Sequence, residues 1–136
     1  MAEEIAEGMA GNPLVRVTLK DIENMPLGDM ETEIVMADAI LVGSPTINQN
    51  TLLPVYKLLS VINPLRDNSK LAGSFGSYGW SGEAPKIISE SFRNLKLKVF
   101  VDSATIKFYP ALEKKEALRD YGKRFADFLI AECSNK

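Results

Sequence analysis

The chain is predicted to be an α/β protein, a doubly wound parallel sheet with helices on both faces. Three observations lead there. Short apolar runs alternate with segments of helical period, and such alternation demands crossovers between parallel strands. One run, Ala39-Ile40-Leu41-Val42-Gly43, is apolar throughout, as in a strand buried on both faces. Two stretches rich in hydroxyl groups and glycine, Ser44-Pro45-Thr46-Ile47-Asn48 and Ser77-Tyr78-Gly79-Trp80-Ser81-Gly82, each follow an apolar run and open a helical pattern. That puts both at the carboxyl ends of neighbouring strands, where open α/β sheets bind ligands.

The elements follow in order. Residues 1–11 read as a helix, with Ile5 and Met9 one turn apart and Gly11 as its stop. Residues 14–19 read as a strand that sets Val15, Val17 and Leu19 on one face. Asp29 is the expected cap of a short helix through Ile34 and Met36. After the strand at 39–43, Pro54 opens a helix with Val55, Leu58, Leu59 and Ile62 on one face; proline suits a first turn, where its missing N–H would be unpaired anyway. Residues 71–76 form the next strand, whose small side chains allow close packing. Residues 81–95 are helical, with Ala84, Ile88, Ser91, Phe92 and Leu95 inward. Residues 97–101 are a strand, which 104–109 extend or double; Tyr109-Pro110 suits a turn. The last helix runs from about Leu112 to Glu132 with a buried stripe of Leu118, Tyr121, Phe125, Phe128 and Leu129. Met25, Met30 and Met36 are expected in the core. No repeat or internal boundary is visible, so residues 1–136 are expected to form a single domain.

Composition narrows the function. The 136 residues are 46% hydrophobic and 25% charged, as in ordinary globular domains. A net charge of -2 offers no basic footprint for nucleic acid. No apolar run has membrane-spanning length, and the start lacks the pattern of a signal peptide. The lone Cys133 cannot form an internal disulfide, which fits a reducing cytoplasm. There is no histidine, so neither a Ser-His-Asp triad nor a His-ligated metal can be built. No catalytic residue and no metal ligand is assigned. Redox chemistry here would need a bound organic cofactor or another domain.

The two stretches suit a flat aromatic ligand. The hydroxyls of Ser44 and Thr46, nearby backbone N–H groups and the Asn48 amide could meet a ring with both donors and acceptors. A plainer account makes this an ordinary strand-to-helix loop with polar caps. Trp80, the single tryptophan, lies in a loop between Gly79 and Gly82 and offers a stacking face and an indole donor. Its plainer account is a side chain folded back over the core edge. Ser81 and Gly82 precede a helix N-terminus with free N–H groups, and Glu83 suits the dipole there. Cys133 and the charged run Glu113-Lys114-Lys115-Glu116 read as incidental and solvated.

Together with residues 37–43 and Pro54, these stretches resemble the flavodoxin-like FMN domain of flavodiiron proteins, also called A-type flavoproteins. The resemblance implies FMN binding and electron transfer through the flavin. It implies that Ser44, Pro45, Thr46, Ile47 and Asn48 line one edge of the isoalloxazine. Ser77, Tyr78, Gly79, Trp80, Ser81 and Gly82 would supply aromatic contact and backbone donors on another. It implies a redox partner such as a rubredoxin-like donor or a di-iron domain. The chain departs from the family in having no di-iron domain and no histidine. It also lacks the family's first strand and phosphate-binding loop, an absence that implies weak or absent FMN binding. Flavodoxin-like sheets have the order 2-1-3-4-5, so strand 1 would be missing from inside the sheet. The chain then starts at an internal methionine, or a second chain supplies the strand, or the sheet is rearranged by closing the gap or exchanging strands. A homodimer through the strand edge near Val15 or Ile40 is the corresponding expectation. Alternatives to the electron-transfer module are a cofactor-free remnant serving as an interaction domain and an FMN-dependent quinone or nitro reductase.

Overall fold

The computed structural model of the chain describes residues 1–109 and 111–136. The turn expected at Tyr109-Pro110 involves Pro110, which lies outside the described residues. Contacts within the chain fall into two compact units, residues 1–20 with 108–136, and residues 21–107.

The larger unit is a parallel α/β sheet. Its elements are α2 (Leu27–Met36), β1 (Ala39–Gly43), α3 (Leu53–Ser60), α4 (Pro64–Asp67), β2 (Leu71–Tyr78), α5 (Ala84–Asn94) and β3 (Lys98–Lys107). The strands lie in the order β1-β2-β3, all parallel, with Ala39 opposite Leu71 and Leu71 opposite Lys98. β3 is one strand, so residues 104–107 extend it; a bulge lies where Ala72 faces Val99 and Ser74 already faces Ser103. One apolar cluster joins Met30 and Ile34 of α2, Val42 of β1, Val55, Leu58 and Leu59 of α3, Ala72 of β2, and Ile88 and Phe92 of α5. Phe92 and Ile88 are completely buried, each worth about 1.5–3 kcal/mol in removal from water.

Several expectations need correction. α2 starts at Leu27 after Pro26, so Asp29 sits inside its first turn and does not cap it. α5 starts at Ala84, because residues 79–83 are held out as a loop. Met36 is 78% exposed and is no core residue. The short helix α4 escaped notice, although Asn63 caps it by accepting from the Leu65 N–H at 2.9 Å.

α4 carries a fully buried carboxylate. Asp67 Oδ2 accepts from the Asn63 N–H at 2.9 Å and from Arg66 Nη2 at 2.8 Å, and Oδ1 accepts from Arg66 Nε at 3.0 Å. Arg66 also donates to Glu31 of α2, at 2.8 Å, and Lys70 donates to the Ala37 carbonyl just past α2. Burial alone pushes the Asp67 carboxyl up, but the bonds from Arg66 and Asn63 and the charges of Arg66 and Lys70 hold it below the usual carboxylate range. The cluster ties the end of α2 to the approach to β2.

The smaller unit is built from α1 (Ala2–Ala10) and α6 (Leu112–Ser134), which run antiparallel. Backbones approach at two glycines. A Cβ on Gly8 would lie 2.0 Å from the Arg119 carbonyl oxygen, and one on Gly122 would lie 2.1 Å from that of Ile5. Ile5, Met9, Leu118, Tyr121 and Phe125 are buried, while Phe128 is 41% exposed and Leu129 half-buried, so the stripe of α6 ends earlier than its period suggested. Glu4 pairs with Arg119 at 2.8 Å. Residues 14–19 form no strand; Val15 and Val17 are half-buried and Leu14 and Leu19 exposed. Alternating valines favour extended backbone, but a strand exists only with a ladder partner, and none is present among the described residues.

Two outcomes follow for stability. Gly122→Ala should lower it by about 1–3 kcal/mol through overpacking against the Ile5 carbonyl, read from the urea midpoint; an unchanged midpoint would disprove the close approach. Asp67→Asn should cost about 3 kcal/mol at neutral pH. The folded value of Asp67 is depressed, so its stabilisation is complete above about pH 3.9 and is lost as pH falls through the lower folded value. The variant should therefore show a smaller acid-side loss of stability than the parent chain.

Candidate functional site

β1 ends at Gly43, yet the chain stays beside β2 for three more residues. The Ser44 N–H donates to the Phe75 carbonyl at 3.2 Å and the Thr46 N–H to that of Ser77 at 2.9 Å. Only glycine fits opposite: a Cβ on Gly76 would stand 2.3 Å from the Ser44 carbonyl oxygen and 2.9 Å from Pro85 Cγ. Ser44 is buried, and its hydroxyl donates to the Pro45 carbonyl at 2.8 Å and accepts from the Leu52 N–H at 3.2 Å. Thr46 Oγ1 accepts from the Ala84 N–H at 3.1 Å, satisfying the first turn of α5. These oxygens thus join the two loops to one another and to the helices that follow.

The first loop then doubles back. Ile47 and Asn50 exchange backbone hydrogen bonds at 3.1 and 3.0 Å, and the residues between them, Asn48 and Gln49, have φ of 53° and 58°. Two successive left-handed residues are the signature of a type I′ hairpin turn, which prefers Asn-Gly. Asn48 suits it; Gln49 is strained by roughly 1–2 kcal/mol. Asn50 Oδ1 holds the turn by accepting from the Tyr56 hydroxyl at 2.6 Å and from the Thr51 N–H at 2.8 Å. The side chains of Pro45, Ile47, Asn48 and Gln49 face outward and are exposed.

In the second stretch, Ser77 and Tyr78 belong to β2, where they pair with Ile106 and Lys107. The loop proper is residues 79–83. Its N–H groups have no protein partner among the described residues. Trp80 is 93% exposed, so it does not fold back over the core. Gly82 lies against the Tyr78 ring, where a Cβ would come within 3.1 Å. Two of the buried oxygens that lack a hydrogen-bond partner among the described residues belong to these loops, Glu83 Oε2 at the end of this one and Thr51 Oγ1 at the end of the first. An orphaned buried polar atom costs about 1–3 kcal/mol, so each marks a place where a further donor would be favourable. Sequence reasoning placed Glu83 in the first turn of the helix but could not foresee that one oxygen is buried; Thr51 gave no signal at all.

The arrangement is therefore an indole face, a row of backbone donors and two unanswered oxygens, on a frame locked by Ser44 and Thr46. Among the described residues, no group of three or more His, Cys, Asp or Glu side chains could hold a metal ion.

No protein-family model matches the chain. It is 34% identical to the type A flavoprotein fprA of Rhodobacter capsulatus over 134 residues, which is 98% of this chain and 31% of that protein. The chain thus spans under a third of the length of the curated relatives it matches first. Its structure superposes on the rubredoxin oxygen:oxidoreductase of Desulfovibrio gigas with a TM-score of 0.88 and 30% identity, covering 97% of this chain and 33% of that one. It superposes on an archaeal flavodoxin with a TM-score of 0.78 and 30% identity, covering 94% of this chain and 87% of that one.

The strain at Gln49 gives a direct test of the turn. Gln49→Gly should raise stability by about 1 kcal/mol in urea unfolding, because glycine adopts positive φ freely. A loss of stability would rule out the left-handed geometry.

Proposed function

Because the chain belongs to the flavodoxin family, as a counterpart of the flavodoxin-like part of type A (flavodiiron) flavoproteins, we propose that it is an electron-transfer module built to hold FMN. The observation that carries this reading is the exposed Trp80 beside unpaired N–H groups at the carboxyl ends of parallel strands. The residues present fit the ring of FMN. Its carbonyl oxygens and ring nitrogens need donors, which the N–H groups of residues 79–83 offer, and its one ring N–H needs an acceptor, which Glu83 Oε2 offers.

When bound, FMN supplies reversible one- and two-electron transfer. The chain's own contribution is positional. Trp80 and Tyr78 provide aromatic surface. The outward residues Pro45, Ile47 and Asn48 line the other edge, held by the strained turn. The bonds from the Ser44 N–H to the Phe75 carbonyl, from the Thr46 N–H to the Ser77 carbonyl and from the Ala84 N–H to Thr46 Oγ1 set the spacing between the two walls. Gly79 and Gly82 keep the second wall free of bulk.

A small electron carrier is the proposed donor, since one relative is a rubredoxin oxygen:oxidoreductase. A di-iron domain, on this chain's partner or beyond these residues, is the proposed acceptor. No helix among the described residues is long and apolar enough to cross a membrane. A cytoplasmic site of action is proposed on the lone cysteine.

Titration with FMN tests the reading. Saturable quenching of flavin and Trp80 fluorescence is expected. Trp80→Ala should weaken binding about tenfold through lost stacking. Absence of saturable quenching into the high micromolar range would overturn the assignment in favour of a cofactor-free interaction domain.

A further inference from the structure

Asp67 and Glu83 each bury a carboxylate oxygen, and the fold treats them differently. Asp67 is answered by Arg66, Asn63 and Lys70. Glu83 Oε2 is answered by no group among the described residues, and no basic side chain there pairs with the carboxylate. Lys86, next along α5, is exposed and makes no ion pair with it. The backbone of Glu83 is nonetheless held from both sides. The Ala84 N–H donates to Thr46 Oγ1 at 3.1 Å, and the Glu83 carbonyl accepts from the Ile87 N–H at 3.0 Å. The residue therefore stands at a fixed place at the foot of the 79–83 loop. It is also the only charged residue within the two loops, 44–52 and 79–83.

A partly buried charge with no counter-charge is screened little, so its field reaches across the neighbouring loop. On the flavin reading, on which this role rests, we propose that Glu83 sets the reduction potential of the ring held between the two loops, by opposing its reduced form. Uptake of two electrons and one proton leaves the oxidised ring with one further negative charge. The electrons come from the small electron carrier proposed above and the proton from solvent. Like charges repel, so the reduced ring is held less tightly than the oxidised one, and linkage makes the bound ring the stronger reductant. At about 10 Å, through an effective dielectric of about 20, one unit charge biases such an equilibrium roughly tenfold, so Glu83 can act without touching the ring. The N–H groups of residues 79–83 favour negative charge on the ring, and Glu83 opposes them. That direction suits a module that must pass its electrons on.

Two titrations of the chain test this, one with oxidised FMN and one with FMN reduced by dithionite, both read by quenching of Trp80. A redox titration of the bound flavin gives the midpoint independently. In Glu83→Gln the ratio of the reduced to the oxidised Kd should fall about tenfold, which raises the two-electron midpoint by about 30 mV. Glu83→Asp keeps the charge and should stay within about threefold of the parent ratio. Helical circular dichroism checks folding, and Glu83→Ala carries the test if Glu83→Gln does not fold. A parent chain that binds FMN, with the same ratio and midpoint in Glu83→Gln, would overturn the role of Glu83 and leave the flavin reading standing. So would Glu83→Asp sharing the ratio of Glu83→Gln, or a variant that loses both forms of FMN equally. A parent chain that binds neither form would overturn the flavin reading and this role together.

Discussion

The candidate site depends on how closely other chain segments can approach the middle strand. β2 pairs on both sides, and four of its eight residues are Ala72, Gly73, Ser74 and Gly76. Small side chains let α5 settle on the strand, where the Ser74 hydroxyl donates to the Pro85 carbonyl at 2.8 Å and lies 2.7 Å from Ser89 Oγ. The bare Gly76 lets the Ser44 carbonyl press against the strand. A larger residue at either place would push the first loop and the start of α5 apart, and with them the two walls of the candidate site.

Polar groups in this region divide their labour by burial. Inside, the Thr51 hydroxyl is left unanswered, whereas Ser44, Thr46, Ser74 and Ser89 are answered by the protein itself. They set geometry. What faces outward is backbone and indole, chemically undemanding groups that suit a flat ligand. The same logic explains the strained turn. Asn48 and Gln49 hold a left-handed path that an ordinary loop would avoid, because reciprocal bonds between Ile47 and Asn50 and the Tyr56 hydroxyl over-determine it.

At the other end of the strands, the buried Asp67 carboxylate plays a comparable role. It gathers Arg66, Asn63 and Lys70, and through Arg66 and Lys70 it reaches Glu31 in the middle of α2 and Ala37 at its end. The approaches to β1 and β2 are thereby registered by charge-assisted hydrogen bonds. A fully buried carboxylate is costly to desolvate, so the arrangement is best read as specifying register more than adding stability.

The sequence by itself determined the class of fold and singled out the two loops that make up the candidate site. The apolar run at 39–43, the small residues at 71–76 and the helical periods around them leave few alternatives to a parallel α/β sheet, and Trp80 among glycines could be recognised as a loop aromatic. Tertiary structure decided the rest, for reasons local pattern cannot encode. Residues 14–19 have the right alternation for a strand, but pairing is a property of two segments. That the hydroxyls of Ser44 and Thr46 meet Pro45, Leu52 and Ala84 could not be read beforehand, because a hydroxyl's partner is invisible until the chain folds. Glu83 and Thr51 became unusual only when burial removed their water. Patterns along the chain report propensity and period; which polar group is answered, and by what, is settled only when distant segments meet.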